Sequence, residues 1–365
     1  LRPAAYPFRV SETEPYFPWG RGAATGVGSM PGDDAREAAK AVLGTFEALP
    51  HLPELPARGP GADMPGRTAG LLAELYVQAE PSGWRLADRP GRDTRRARSW
   101  IGEDLDALEE FAGEHTGALK IQAVGPWTLA AALQRRNGEA MLGDAGACRD
   151  LAASLREGLA AHLAEVARRV PHARLVLQLD EPSLPRVLAG RVPTASGYRR
   201  YAPVEDTVAE STLRDLVSGL AADAHANLPV LFHCCAPGMP FGLLRRAGAT
   251  GLSFDAAQLA GERGAADEAR EAEDTALGEA VEGGLALFAG VVPGAVSDAA
   301  ELSDPASSVS GVRSLWRRLG LAPGLLSESV VVTPACGLAG SAPAAARAVL
   351  AHCVRAAGSL ADDPE

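Results

Sequence analysis

Lysine is nearly absent from this chain of 365 residues: Lys40 and Lys120 are its only two, and arginine supplies the remaining basic side chains. Acidic residues outnumber Lys and Arg by 46 to 35, for a formal net charge of −11. The chain therefore lacks the positive surface that nucleic acid or an anionic bilayer requires. Long apolar runs are missing as well. Residues 285–292 fall far short of the roughly 20 needed to cross a membrane, and residues 1–20 carry Pro, Glu and Arg where a secretory leader needs an apolar core. The sequence reads as a soluble, cytoplasmic protein that binds a small molecule or another protein, with no nucleic-acid or membrane partner. Five cysteines, two of them adjacent, are too few and too unevenly placed for a disulfide framework, so reduced thiols are expected. Cys148 and Cys353 fall in Ala-rich helical patterns and read as small buried hydrophobes.

With 47% apolar residues there is ample material for a large core. Residues 1–22 lack periodicity and read as an N-terminal arm. From residue 23 to 365, β-like and amphipathic segments alternate. Strands are expected at residues 23–28, 52–57, 119–124, 174–179, 229–234, 251–254, 285–292 and 329–333, the second being weak because it holds two prolines. Helices are expected at 34–49, 71–78, 104–114, 127–135, 148–170, 204–225, 262–281, 312–319 and 343–357. Eight strands with intervening helices predict a single (β/α)8 TIM-type barrel, because the chemistry-bearing residues follow several different strands. Arg89, Arg92, Arg95, Arg96 and Arg98 surround Pro90-Gly91 and read as a loop with a solvated basic face.

The most informative feature present is His233-Cys234-Cys235, which closes the apolar run 228–232. Alternation puts His233 and Cys235 on one strand face and Cys234 on the other. Imidazole and thiolate from rigid backbone suit a soft metal such as zinc. Asp255 follows residues 251–254 and Cys336 follows residues 330–334, so four candidate ligands end three strands. In a parallel barrel all strand C-termini share one rim, where active sites are built. The segment Gln178-Leu179-Asp180-Glu181-Pro182 places Gln178 and Asp180 on one face, and a carboxylate there suits a substrate ammonium group. In Gly26-Val27-Gly28-Ser29, the glycines let backbone approach a ligand closely and Ser29 adds a hydroxyl. For the second strand, Asp63 and Glu80 are both candidate ligands.

Five segments in order, Thr25-Gly26-Val27-Gly28-Ser29-Met30-Pro31, Val124-Gly125-Pro126-Trp127-Thr128, Gln178 to Pro182, His233-Cys234-Cys235 and Thr333-Pro334-Ala335-Cys336-Gly337-Leu338, give the chain its family likeness. They resemble the catalytic C-terminal barrel of cobalamin-independent methionine synthases. The resemblance implies a Zn2+ site of His233, Cys235, Asp255 and Cys336, and a homocysteine pocket formed by Gly28, Ser29 and Asp180. It also implies methyl transfer to the homocysteine thiol; in this chain no catalytic residue beyond the zinc site is expected.

Three departures from the family pattern bear on the donor. The family's acidic ligand is Glu where this chain has Asp255. The family has a proton-donating His after the seventh strand, where this chain runs Val291-Val292-Pro293-Gly294-Ala295-Val296. The extra N-terminal barrel of the family's long form, which helps bind polyglutamylated methylfolate, has no room in 365 residues. A methyl on a folate nitrogen leaves only with acid assistance, whereas a methyl on a corrinoid cobalt needs no proton. The donor is therefore a methylcorrinoid, protein-bound or free, or methyltetrahydrofolate. The alternatives are a related zinc-dependent methyl or alkyl transferase acting on another thiol, and a non-catalytic zinc-binding relative.

Overall fold

Six of the apolar stretches pair side by side as parallel strands, and the alternation of their side chains decides where polar chemistry can collect. The computed structural model describes residues 17–223, 227–260, 267–296 and 299–363. In chain order the strands are β1 (Tyr76–Glu80), β2 (Gly83–Ala87), β3 (Ala118–Val124), β4 (Leu133–Gln134), β5 (Arg174–Asp180), β6 (Val230–Cys234), β7 (Gly251–Asp255), β8 (Ala286–Val292) and β9 (Val330–Pro334). The main sheet runs β3-β5-β6-β7-β8-β9, while β1, β2 and β4 form a small separate sheet. Among the described residues, the expected eight-stranded wall is a sheet of six. Single bridges stand where the first two were expected: Ala24 with Val332, Ser29 with Glu54, and His51 with Lys120. Pro50, Pro53 and Pro56 have no N–H to give to a ladder. Isolated hydrogen bonds make this part of the wall, among them Thr25 N to Val332 O (3.0 Å), Glu54 N to Gly28 O (3.1 Å) and Leu52 N to Lys120 O (2.9 Å). The curled parallel sheet with its helices fits a TIM-type barrel.

Along each strand one face packs outward on the helices and the other inward. Leu175, Leu177 and Leu179 of β5, with Phe232 and Cys234 of β6, belong to the large outer core. Ala118, Val176, Leu231, Ala286, Phe288 and Val331 form a smaller inner cluster from the early part of their strands. Phe17 and Trp19, from the expected arm, belong to that inner cluster. Their rings stack 5.0 Å apart, and Trp19 meets Phe288 edge-on at 5.3 Å. The end of the arm thus plugs the N-terminal end of the sheet; residues 1–16 lie outside the described residues. Further along the same inward faces the side chains turn polar: Lys120, Gln122, Gln178, Asp180, His233, Ser253 and Thr333 are all buried. An apolar floor and a polar upper interior follow directly from the period-two pattern.

Helices cover the outside. Asp144 caps Ala145–Arg169 by accepting from Ala147 N, and Pro343 opens Pro343–Asp362 at a position whose N–H would have no partner. Cys353 is buried in the latter helix. Two expectations fail here. Residues 71–78 are not a helix: helix Met64–Leu71 ends there and β1 begins at Tyr76, because Tyr76–Glu80 finds an antiparallel partner in Gly83–Ala87. The arginine-rich stretch is mostly helical rather than a loop, starting at Arg92 after Gly91. Arg96 pairs with Asp93 and lies over the Trp100 ring. No helix among the described residues is long and apolar enough to cross a membrane.

Candidate metal centre and adjoining pocket

The ends of β6 and β9 bring His233, Cys235 and Cys336 together, with one ring nitrogen and two sulfurs all within 4.8 Å of one another. The two Sγ atoms are 3.1 Å apart. Cys234 points into the outer core, 1% exposed, as alternation requires, and burial pushes its thiol up to about 11. His233 Nδ1 lies 2.9 Å from Ser253 Oγ on the neighbouring strand β7. That contact fixes the ring and leaves Nε2 as the nitrogen for a metal. The thiols are unequal. Hydrogen bonds from Cys235 and His233 pull Cys336 down to about 4, while the Cys336 contact and burial push Cys235 up. An imidazole and two close sulfurs are a donor set that fits tetrahedral zinc with one coordination position to spare.

Asp255 ends β7 but is not part of the three-residue group. Its carboxylate accepts from Ala257 N (3.0 Å) and Gln258 Nε2 (3.2 Å), closing the turn that follows the strand.

Beside the metal group lies a cluster of buried polar side chains. Asp180 is 6% exposed and accepts from Gln178 Nε2 at 2.7 Å. Burial pushes its carboxyl up, opposed by His233 and Gln178. Gly28 approaches Gln122 so closely that a Cβ would lie 2.9 Å from Gln122 Cγ. The residue must therefore be glycine for this turn to sit against β3. Ser29 ties the turn to the Cys336 loop: its carbonyl accepts from Leu338 N at 2.8 Å, and a Cβ on Gly337 would meet Ser29 Oγ at 2.1 Å. The structure thus brings Gly28, Ser29, Asp180, His233, Cys235 and Cys336 to one end of the sheet.

Neither second-strand candidate reaches this cluster as a free carboxylate. Asp63 accepts from Gly61 N, Gly66 N and Trp84 Nε1, capping Met64–Leu71. Glu80 ends β1 in the small sheet and accepts from Gln78. Glu54 is there instead, 8% exposed, with Arg67 Nε 3.3 Å away. Burial lifts its carboxyl to about 7 against the pull of Arg67, and nearby Asp180 adds to the rise. Sequence reading missed Glu54 because Pro53 and Pro56 make its segment look like a poor strand. Lys120 was also missed, although a lone charge within the apolar stretch Leu119 to Val124 was a usable signal. Glu181 closes a helix start: it accepts from Trp127 N, Thr128 N and Thr128 Oγ1. Trp127 is buried in the outer core, its Nε1 donating to Ala209 O.

Comparison with known proteins places this geometry. Residues 23–359 match the family model described as the catalytic domain of cobalamin-independent synthase. Among solved structures, the putative vitamin-B12 independent methionine synthase from Listeria monocytogenes is similar over 93% of this chain and 98% of its own, with a TM-score of 0.55 at 15% identity. A B12-independent methionine synthase from Shewanella sp. W3-18-1, solved in complex with selenomethionine, is similar over 94% of this chain and 98% of its own, with a TM-score of 0.56 at 10% identity. At such identities the likeness is one of fold. No curated protein matches the sequence.

Proposed function

Since the chain belongs to the family of cobalamin-independent methionine synthase catalytic domains, we propose that it is a zinc-dependent methyltransferase that methylates the thiol of homocysteine to give methionine. The observation that carries this reading is the imidazole and two thiols within 4.8 Å beside the buried carboxylate of Asp180. His233, Cys235 and Cys336 would hold the zinc. Asp255 is the proposed fourth donor, its carboxylate turning from Ala257 N and Gln258. A zinc ion held there would supply the charge that keeps an acceptor thiol deprotonated at neutral pH, which a free thiol near pKa 8.5 is not.

The chain's own residues do the rest. Asp180, with Glu54 behind it, provides negative charge for the acceptor's ammonium group, and an arriving cation relieves the cost of two buried carboxylates. The Gly28-Ser29 turn gives the acceptor a close backbone wall, and Ser29 couples that wall to the loop of Cys336. Ser253 keeps the His233 ring from rotating.

The donor reading rests on the loop after β8. Residues 291–296 carry no titratable side chain. The loop lies against the Cys336 segment, since Ser341 Oγ donates to Gly294 O at 2.6 Å and a Cβ on Gly294 would be 3.6 Å from Cys336 O. No side chain of residues 291–296, where the family carries its proton-donating His, can protonate a folate nitrogen, which favours a methylcorrinoid donor over methyltetrahydrofolate. The corrinoid would be a substrate and not a resident cofactor. The test is a methyl-transfer assay with homocysteine against a panel of donors, on protein of measured zinc content. If zinc-loaded protein forms methionine from no donor, the reading fails in favour of another thiol acceptor or a non-catalytic zinc protein.

A further inference from the structure

We propose that Lys120 is a positioning residue for the amino-acid acceptor: its ammonium fixes the Gln178 amide, and through it Asp180, while holding the Gly28-Ser29 turn by the carbonyl of Val27. This rests on the homocysteine reading given above. Lys120 is fully buried, at the middle of β3, facing inward. Its Nζ donates to Val27 O at 2.8 Å, to Gln178 Oε1 at 2.8 Å and, at 3.5 Å, to Gln122 Oε1. An ammonium group only donates, so Gln178 must turn its oxygen toward Lys120. Its NH2 then faces Asp180 Oδ1 at 2.7 Å and Val27 O at 2.9 Å. The flipped amide would set NH2 against the ammonium and oxygen against both a carboxylate and a carbonyl, three unfavourable contacts at once.

A neutral, non-donating side chain at position 120 would leave the amide oxygen of Gln178 without its donor, so the NH2 that pins Asp180 would be held by Asp180 Oδ1 and Val27 O alone. The same ammonium carries a second constraint. Val27 immediately precedes the Gly28-Ser29 turn, so one cation ties together two parts of the proposed pocket that are about 150 residues apart in sequence, as the Gln178 to Val27 bond shows (151). Asp180 and Glu54 both support the charged form, and although burial pulls Lys120 down to about 8, the ammonium is still the dominant form at neutral pH.

The experiment is titration calorimetry of homocysteine into zinc-loaded protein, comparing the parent with Lys120→Met, Asp180→Asn and the double variant. Lys120→Met keeps the stem and removes the charge. It should weaken homocysteine binding about tenfold or more with zinc content unchanged. In the Asp180→Asn background the same change should weaken binding less than in the parent, because the group positioned through Gln178 is already neutral and only the hold on the Val27 carbonyl is lost. Lys120→Gln is the second variant, with the same expectations. A folded, zinc-loaded variant that binds homocysteine like the parent overturns the proposal, and so do equal losses in both backgrounds. Failure of both position-120 variants to fold would assign Lys120 to the stability of the interior and also overturn it. A parent that binds no homocysteine refutes the acceptor reading on which the proposal stands, whereas unchanged binding in Lys120→Met refutes the positioning role alone.

Discussion

Glu54 offers a test of the barrel interior that depends on no substrate. Its carboxyl is raised from 4.5 to about 7 by burial, with Arg67 opposing. At 1.36 kcal/mol per pK unit, that rise means ionised Glu54 disfavours the folded chain by about 3 kcal/mol. Between pH 4.5 and about 7 the folded chain keeps a proton on Glu54 that the unfolded chain has released, so the folded state binds more protons and stability falls as pH rises. Glu181, lifted by burial to about 7, adds a fall of similar size over the same window. In Glu54→Gln the amide oxygen still faces Arg67, but that titration is gone. Urea unfolding followed by circular dichroism at pH 5 and pH 8 should show stability falling less across the interval in Glu54→Gln than in the parent, the other buried carboxyls being common to both. At pH 8 the variant should exceed the parent by about 1–3 kcal/mol, the lower end allowing for a weaker contact to Arg67. Equal losses in parent and variant, or a variant less stable than the parent at pH 8, would show that Arg67 fully compensates the buried charge and would refute the reasoning.

Three further outcomes are expected. Cys235→Ala and Cys336→Ala should each lose most of the bound zinc by elemental analysis, while Cys234→Ala should keep it and lose about 1 kcal/mol of stability from a small outer-core cavity; metal retained in both ligand variants would sink the site. Asp180→Asn should raise the homocysteine KM by about 10- to 100-fold, the worth of a desolvated charge-assisted hydrogen bond, with zinc content unchanged; an unaltered KM would point to an acceptor without an ammonium group. Zinc-loaded protein should form methionine from methylcobalamin and homocysteine faster than from methyltetrahydrofolate, measured by methionine release, and robust turnover with the folate alone would mean that another acid replaces the missing histidine.

What could be read from the sequence and what could not divide along a physical line. His233, Cys235 and Asp180 were readable because each lies at the end of a long apolar strand, where period two fixes the face and the parallel topology fixes the rim. Cys336 followed the same logic one loop further on. Asp255 shows where that logic stops: strand position is set by the ladder, but the carboxylate is directed by the turn beyond it, where Ala257 N and Gln258 are local competitors no strand pattern reveals. The failures at residues 71–78 and at the first two strands have different causes. In one case a partner strand overrides a helical period, and in the other prolines remove ladder donors while leaving enough single hydrogen bonds to hold the wall. Glu54 lies in that irregular wall, so the pattern that located its neighbours could not locate it. Its placement still follows from charge. Asp180 and Glu54 share the buried interior with Lys120, one of only two lysines in the chain, and in a sequence that otherwise uses arginine this short-headed cation is the basic group that can donate inside a space already lined by two glutamine amides and a backbone carbonyl.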